Sequence, residues 1–169
     1  MIATGVHTPV PDISGLLDVQ YYTNQTIFDL TKKPEHLLVL GGGPVGVELA
    51  QAFARLGVNV TIFEKRKLLS NFSREKVEIL RGSLVEDGVS LKEDVCVNNI
   101  SKVGGKLVVK LKNDDKIIGS HLLVATGKKP NLKNLNLQTA GVSYSDIGIE
   151  TDQYLRTNNK RIYAIGDVA

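Results

Sequence analysis

The sequence predicts an α/β fold in which a parallel sheet with flanking helices is joined to an antiparallel three-stranded β-meander. Three observations carry this. An unbroken apolar run, Leu37 to Leu40, suits a strand buried on both faces. A glycine-rich turn, Gly41-Gly42-Gly43-Pro44-Val45-Gly46, separates that run from apolar residues at helical spacing. Beyond residue 95 the pattern changes to β-rich stretches broken by Gly104-Gly105 and Asn113-Asp114-Asp115, which are turn-forming clusters.

In chain order, Val45, Leu49, Ala52, Phe53 and Leu56 fall on one helical face, and Gly57 stands where a left-handed residue ends a helix. This predicts a helix over 44–56. Val58 to Phe63 is rich in β-branched residues and predicts a strand that ends at Glu64, completing a βαβ unit. Ser73 as N-cap, Val77, Leu80 and Leu84 on one face, and Gly88 just past the end predict a second helix over 73–87. A third parallel strand follows near 89–91. The meander is expected to use 95–103, 106–112 and 116–125. The apolar run Ile162-Tyr163-Ala164-Ile165 predicts one more strand of the main sheet. Residues 1–22 carry too few apolar residues in periodic order to predict packing. The chain holds no internal repeat and no low-complexity segment.

Composition narrows the function classes. The chain has 169 residues, 42% of them hydrophobic and 23% charged, and a net charge of +3. A globular chain of this size buries roughly 70% of its unfolded surface, enough for a core without metals or disulfides. Collagen, coiled coil and disordered tail are excluded. The basic residues form no long stripe, and five Tyr, four Phe and no Trp offer little stacking surface, so no nucleic-acid partner is expected. No apolar run is long enough to span a membrane and no signal segment follows Met1, so a cytoplasmic protein with no membrane partner is expected. The single cysteine, Cys96, cannot form an internal disulfide and is read as inert packing or a surface thiol in a strand. His7, His36 and His121 lack metal-ligand spacing, so no metal site is expected. The paired acids Asp114-Asp115 and Glu86-Asp87 fall at a predicted turn and helix end and are read as solvent-facing.

The glycine turn carries the chemistry. It matches G-x-G-x-x-G just after a predicted strand and just before a predicted helix. Gly41 permits the tight turn, Gly43 lets backbone approach a pyrophosphate, and Gly46 lets the helix pack close to the strand. Pro44 suits the first helical turn, because its missing N–H and fixed φ cost nothing there. The free N–H groups from Val45 onward, at the positive end of the helix dipole, favour an anion. Glu64 lies 18 residues beyond Gly46 at the end of the second strand, where an acid can accept hydrogen bonds from ribose hydroxyls. A carboxylate there repels a 2′-phosphate, so NAD(H) is expected over NADP(H). Lys65, Arg66 and Lys67 follow at once, either to serve a 2′-phosphate or as a solvated loop.

At this point the chain resembles the pyridine nucleotide-disulfide oxidoreductases, a family that includes dihydrolipoamide dehydrogenase, glutathione reductase and mercuric reductase, and whose central domain has a Rossmann-type fold. Ala3-Thr4-Gly5, followed by Pro9 and Pro11, looks like the stretch that closes the first part of that family's FAD domain. Gly41 to Glu48 is similar to the NAD(P) loop. Ala125-Thr126-Gly127-Lys128-Lys129-Pro130-Asn131 is similar to the family's Thr-Gly-Arg-x-Pro-Asn, with Lys128 where arginine is usual. Arg156-Thr157 and Tyr163 to Val168 look like the segment that returns to the flavin.

The resemblance implies roles residue by residue. Gly41, Gly43 and Gly46, with Pro44 and Val45, would hold the pyrophosphate, Glu64 and Lys65 the adenosine ribose region, and Val97 would line the adenine. Glu48 would sit beside the nicotinamide, and Gly127 would approach it with backbone. Thr4, Gly5, Gly166 and Asp167 would face FAD in a longer protein. The expected division is 1–31 as an edge of the FAD domain and linker, 32–150 as the NAD(P)-binding domain, and 151–169 as the return segment. The family's redox cysteine pair, first dinucleotide loop and dimerisation domain have no counterpart here, so no residue of this chain is expected to be catalytic. The reading is an excised NAD(H)-binding domain whose partners are dinucleotide and the FAD and dimerisation domains, inactive by itself, with the electron acceptor set elsewhere. A self-contained NAD(H)-sensing regulatory domain is the alternative. A stand-alone dehydrogenase ranks last, for want of an acid–base pair.

Overall fold

The computed structural model describes residues 1–169. In chain order the elements are β1 (Val6–His7), β2 (His36–Leu40), α1 (Pro44–Arg55), β3 (Asn59–Phe63), α2 (Arg74–Glu86), β4 (Val89–Lys92), β5 (Val97–Val103), β6 (Lys106–Leu111), β7 (Lys116–Gly119), β8 (His121–Val124), β9 (Lys129–Pro130), β10 (Tyr144–Ser145) and β11 (Gly148–Ile149). They form two compact units, residues 10–126 and residues 1–9 with 127–169.

The 10–126 unit is built on a parallel sheet of order β4-β3-β2-β8. Side chains alternate across a strand, and β2 shows the consequence. Leu37 and Val39 enter a core with Val47, Ala50 and Ala54 of α1 and Val77 and Leu84 of α2. Leu38 and Leu40 enter a second core with Ile100, Leu107, Val109 and Leu111. Helices therefore cover one face and the antiparallel meander β5-β6-β7 covers the other. This explains why β2 reads as a continuous apolar run, and each leucine so buried contributes about 1.5–3 kcal/mol.

Both helices match their predicted spans to within a residue, with Ser73 at the N-cap position of α2, although its side chain makes no capping hydrogen bond. Four expectations are corrected. The run 116–125 is two strands: β7 closes the meander, and β8 lies parallel to β2. The break is at Ser120, whose Oγ accepts the N–H groups of Glu35 and His36 at 3.1 Å and ties the chain to the start of β2. Gly119 faces Leu38 so closely that a Cβ would lie 2.5 Å from its Cγ. Secondly, residues 1–22 do pack. Gly15, at φ 76°, meets the meander backbone, and Leu16 and Val19 enter the second core. Tyr22 pairs with β8, donating its N–H to Leu122 O and accepting from Val124 N–H, both at 2.8 Å, which covers that sheet edge. Thirdly, Cys96 is half-buried but lies one residue before β5.

The fourth correction concerns 162–165, which joins no strand of the parallel sheet. It belongs to the unit of residues 1–9 and 127–169, where Ala164 bridges Ile2 and Tyr163 bridges Arg156. That unit has a small core of Leu137, Val142, Ile149, Ala164 and Val168, with β1 paired to β9 and β10 to β11. Packing thus groups the chain with boundaries at 9/10 and 126/127. Residues 10–31 supply Leu16, Val19 and Ile27 to the larger cores, and 127–150 share a core with 151–169.

Candidate functional site

The strand order makes β2 a switch point. The chain leaves it through α1 toward β3 and β4 on one side, while β8 lies on the other. In such sheets the crevice beyond the carboxyl end of the switching strand is where ligands bind. The glycine turn sits at that end.

Each glycine of the motif answers to a different constraint. Gly41 has φ 107° and a Cβ there would lie 2.4 Å from Ala125 O, so both conformation and space require glycine. A Cβ on Gly46 would lie 2.0 Å from Gly41 O, which is the close contact of α1 with the turn. Gly43 differs from both. Its φ of −78° is open to any residue, and a Cβ would meet nothing within 4 Å. Pro44 opens α1 at N1, no side chain caps the helix, and its first turn holds no acid. The end of α1 therefore presents its positive dipole and free N–H groups beside open space.

Glu64 closes the site from β3. Its Oε2 accepts the Gly42 N–H at 2.7 Å and its Oε1 accepts the Arg66 N–H at 2.9 Å. Its backbone C=O accepts the N–H of Val95 at 3.1 Å, so Val97 follows two residues along, half-buried against the second core. A cleft is lined by Gly42, Gly43, Pro44, Glu64, Lys67 and the segment Leu69 to Phe72. Lys65 and Arg66 are exposed, whereas Lys67 is paired with Asp94, which raises its pKa above the ordinary lysine range. Behind the loop, the Arg81 guanidinium hydrogen-bonds Glu93 and holds its carboxyl below the usual range, and Glu93 accepts the Leu68 N–H at 2.6 Å. Glu48 is an exposed acid on α1.

The structure thus gathers Gly41, Gly43, Pro44, Val45, Gly46, Glu64 and Lys65 at one sheet end. Sequence reasoning missed Ser70, Asn71 and Phe72, which line the cleft without any motif, and the bracing acids Glu93 and Asp94. The signal for the acids was their place just past β4, at the same sheet end.

In the other unit, Thr4, Gly5 and Asn131 are knitted together. Thr4 Oγ donates to Asn131 O, Asn131 Nδ2 donates to Thr4 O, both at 2.8 Å, and Asn131 N–H donates to Gly5 O at 2.9 Å. Lys128 Nζ donates to Asp167 Oδ2 at 2.9 Å. Gly5, Gly127 and Gly166 all have positive φ with no atom near a Cβ position. Thr4-Gly5, Gly127 to Asn131 and Gly166-Asp167, from three separate motif segments, therefore belong to one unit.

A switch-point parallel sheet opening on a glycine turn is the architecture of Rossmann-type oxidoreductases. The sequence profile of the pyridine nucleotide-disulphide oxidoreductase family matches residues 1–169, and the chain belongs to that family. It is 40% identical to a mercuric reductase of Streptomyces lividans over 175 residues and 36% identical to one of Staphylococcus aureus over 173. Each alignment covers 99% of this chain but only 36% and 32% of the relative. The structure is similar to that of the HOCl-induced flavoprotein disulfide reductase RclA from Escherichia coli, with a TM-score of 0.89 and 31% identity, over 98% of this chain and 38% of that one. The chain thus spans about a third of the length of these relatives. No helix is long and apolar enough to cross a membrane.

Proposed function

We propose that this chain is the pyridine-dinucleotide-binding part of a flavin-dependent disulfide-type oxidoreductase, and that its task is to bind NAD(H) and orient the nicotinamide. One observation carries the reading. Neither backbone conformation nor protein packing requires glycine at position 43, whereas a diphosphate lying against that backbone does. Val45 and Gly46 lie in the first turn of α1, where backbone N–H groups have no partner within the helix, and no side chain caps them.

When bound, the nicotinamide and flavin would supply the hydride chemistry between them, and the protein's share would be binding and orientation. Glu64 keeps two carboxylate oxygens with lone pairs beyond those given to Gly42 and Arg66, enough to accept ribose hydroxyls. Its charge disfavours a 2′-phosphate, and Asp94 neutralises Lys67, which leaves Lys65 and Arg66 as the free cations of the cluster. These are the grounds for NAD(H) over NADP(H). Val97 is assigned to the adenine end, and Glu48 and the Gly127 backbone to the nicotinamide end. Toward FAD the residues are Thr4, Gly5, Gly166 and Asp167. Lys128 engages only Oδ2 of Asp167, so Oδ1 remains to accept a hydroxyl. Alone, the chain oxidises no NADH.

The test is an equilibrium titration with NADH and with NADPH at one salt concentration. Tighter binding of NADH is expected, weakened about tenfold or more by Glu64→Ala and by Gly43→Val. Tighter binding of NADPH overturns the role given to Glu64, and binding of neither overturns the dinucleotide reading.

A further inference from the structure

We propose that Glu64 is also a positioning residue for the diphosphate turn, holding it in its binding conformation through Gly42. This rests on the dinucleotide reading above and extends it to a second job for the same side chain.

The turn has little to hold it from within. Three consecutive glycines have the widest backbone freedom a chain can have, and only Gly41 is fixed by the sheet, donating its N–H to Phe63 O at 2.9 Å. Gly42 is buried and gripped from both sides by one segment. Glu64 Oε2 takes its N–H at 2.7 Å, and the Leu69 N–H donates to its C=O at 3.0 Å. A Cβ on Gly42 would lie 2.9 Å from Leu68 Cδ1 and 3.1 Å from Glu64 Cβ, so the segment 64–69 bears directly on the turn. Glu64 Oε1 meanwhile fixes the start of that segment at Arg66 N–H, and Glu93 fixes its middle at Leu68 N–H. One carboxylate therefore joins the turn to the loop that supports it. A ligand that meets a preset turn is spared the entropy of ordering it.

This assigns an unusual sign to the residue. By charge alone, a carboxylate beside an anion subsite opposes the anion, so its removal should tighten binding of a ligand that has no ribose. By positioning, its removal weakens that same binding. Inorganic pyrophosphate is such a probe. Its affinity is read from the amide shifts of Gly43, Val45 and Gly46 in the 15N-labelled chain. Glu64→Ala and Glu64→Gln are each expected to weaken it about tenfold, the equivalent of one lost charge-assisted hydrogen bond. Glutamine is informative because it has one acceptor oxygen, so it serves Gly42 or Arg66 but not both. Affinity that is unchanged or tighter in both variants overturns the proposal.

A ligand-free readout separates this from failure of the dinucleotide reading. Hydrogen exchange at the Gly42 amide is expected to speed up about tenfold in both variants, and equal protection overturns the brace. A wild-type chain that binds pyrophosphate but not NADH would sink the dinucleotide reading and leave the brace standing. A wild-type chain in which pyrophosphate shifts none of the three amides would sink the brace as a builder of an anion subsite.

Discussion

The two compact units hold their shape by different means. Residues 10–126 rely on regular elements and two apolar cores, one on each face of a parallel sheet. The unit of residues 1–9 and 127–169 has five buried apolar residues and strands of two residues each. Its order comes from side chains that bond backbone. Asn158 Nδ2 donates to Gly141 O at 2.7 Å, Asn159 Nδ2 to Ala140 O at 2.8 Å, and the buried Thr157 hydroxyl shares its hydrogen between Asn159 O and Ile162 O. The lesson is that a motif-bearing region can be ordered by polar wiring where its apolar content is too low for a core of the usual kind.

The largest effect is expected in the larger unit. Leu122 is fully buried in β8, and Leu122→Ala is expected to cost about 3–4 kcal/mol, read as a fall in the urea midpoint. A loss under 1 kcal/mol would mean that this core is not what holds the sheet. In the smaller unit, Thr157→Val keeps the shape and removes the shared hydroxyl. An expected loss of about 1–2 kcal/mol, with faster amide exchange confined to residues 1–9 and 127–169, would establish the polar wiring. Exchange that speeds up equally in 10–126 would erase the distinction between the units.

A third prediction concerns pH. Burial pushes His36 and His121 below the ordinary value of 6.5, outweighing a hydrogen bond to the Ile118 backbone at the first and the charge of Glu35 at the second. The unfolded chain then takes up protons at a higher pH than the folded one, so stability is complete above pH 6.5 and declines as the pH falls below it. Urea midpoints between pH 7.5 and 5 should show that fall, and His36→Gln with His121→Gln should flatten it. The smallest effect is at Asp94. Freeing Lys67 by Asp94→Asn should raise affinity for NADPH relative to NADH by about threefold at low salt, the worth of one exposed charge at close range, and less at high salt. An unchanged ratio would remove Lys67 from the cofactor-selecting cluster.

The same contrast explains what was legible in the sequence. From β2 to β4 every boundary coincides with local chemistry: an apolar run, Pro44, Gly57, Ser73 and Gly88. The glycine turn and Glu64 were legible for the same reason, since their signals lie within one βαβ unit. The division of 116–125 was not, because Ser120 acts through hydrogen bonds to Glu35 and His36, which are 85 and 84 residues away. Nor was the burial of Leu16, which depends on Gly15 fitting against Ile100 O. Residues 162–165 looked like one more strand of the main sheet because apolar runs carry no label for the sheet they join. The grip of Glu64 on Gly42 was hidden too, since a side chain's spare lone pairs are invisible in a motif.

The pairing of β2 with β8 has a consequence for how the protein is made. Leu37 meets His121, so the strand that completes one side of β2 is synthesised 84 residues later. At ribosomal rates of about 5–20 residues per second, that flank of β2 waits roughly 4–17 seconds with its N–H and C=O groups open to any passing strand. The nascent chain is thus at its most vulnerable to misassociation while the meander is emerging, and slowing translation across residues 93–120 would lengthen that exposure.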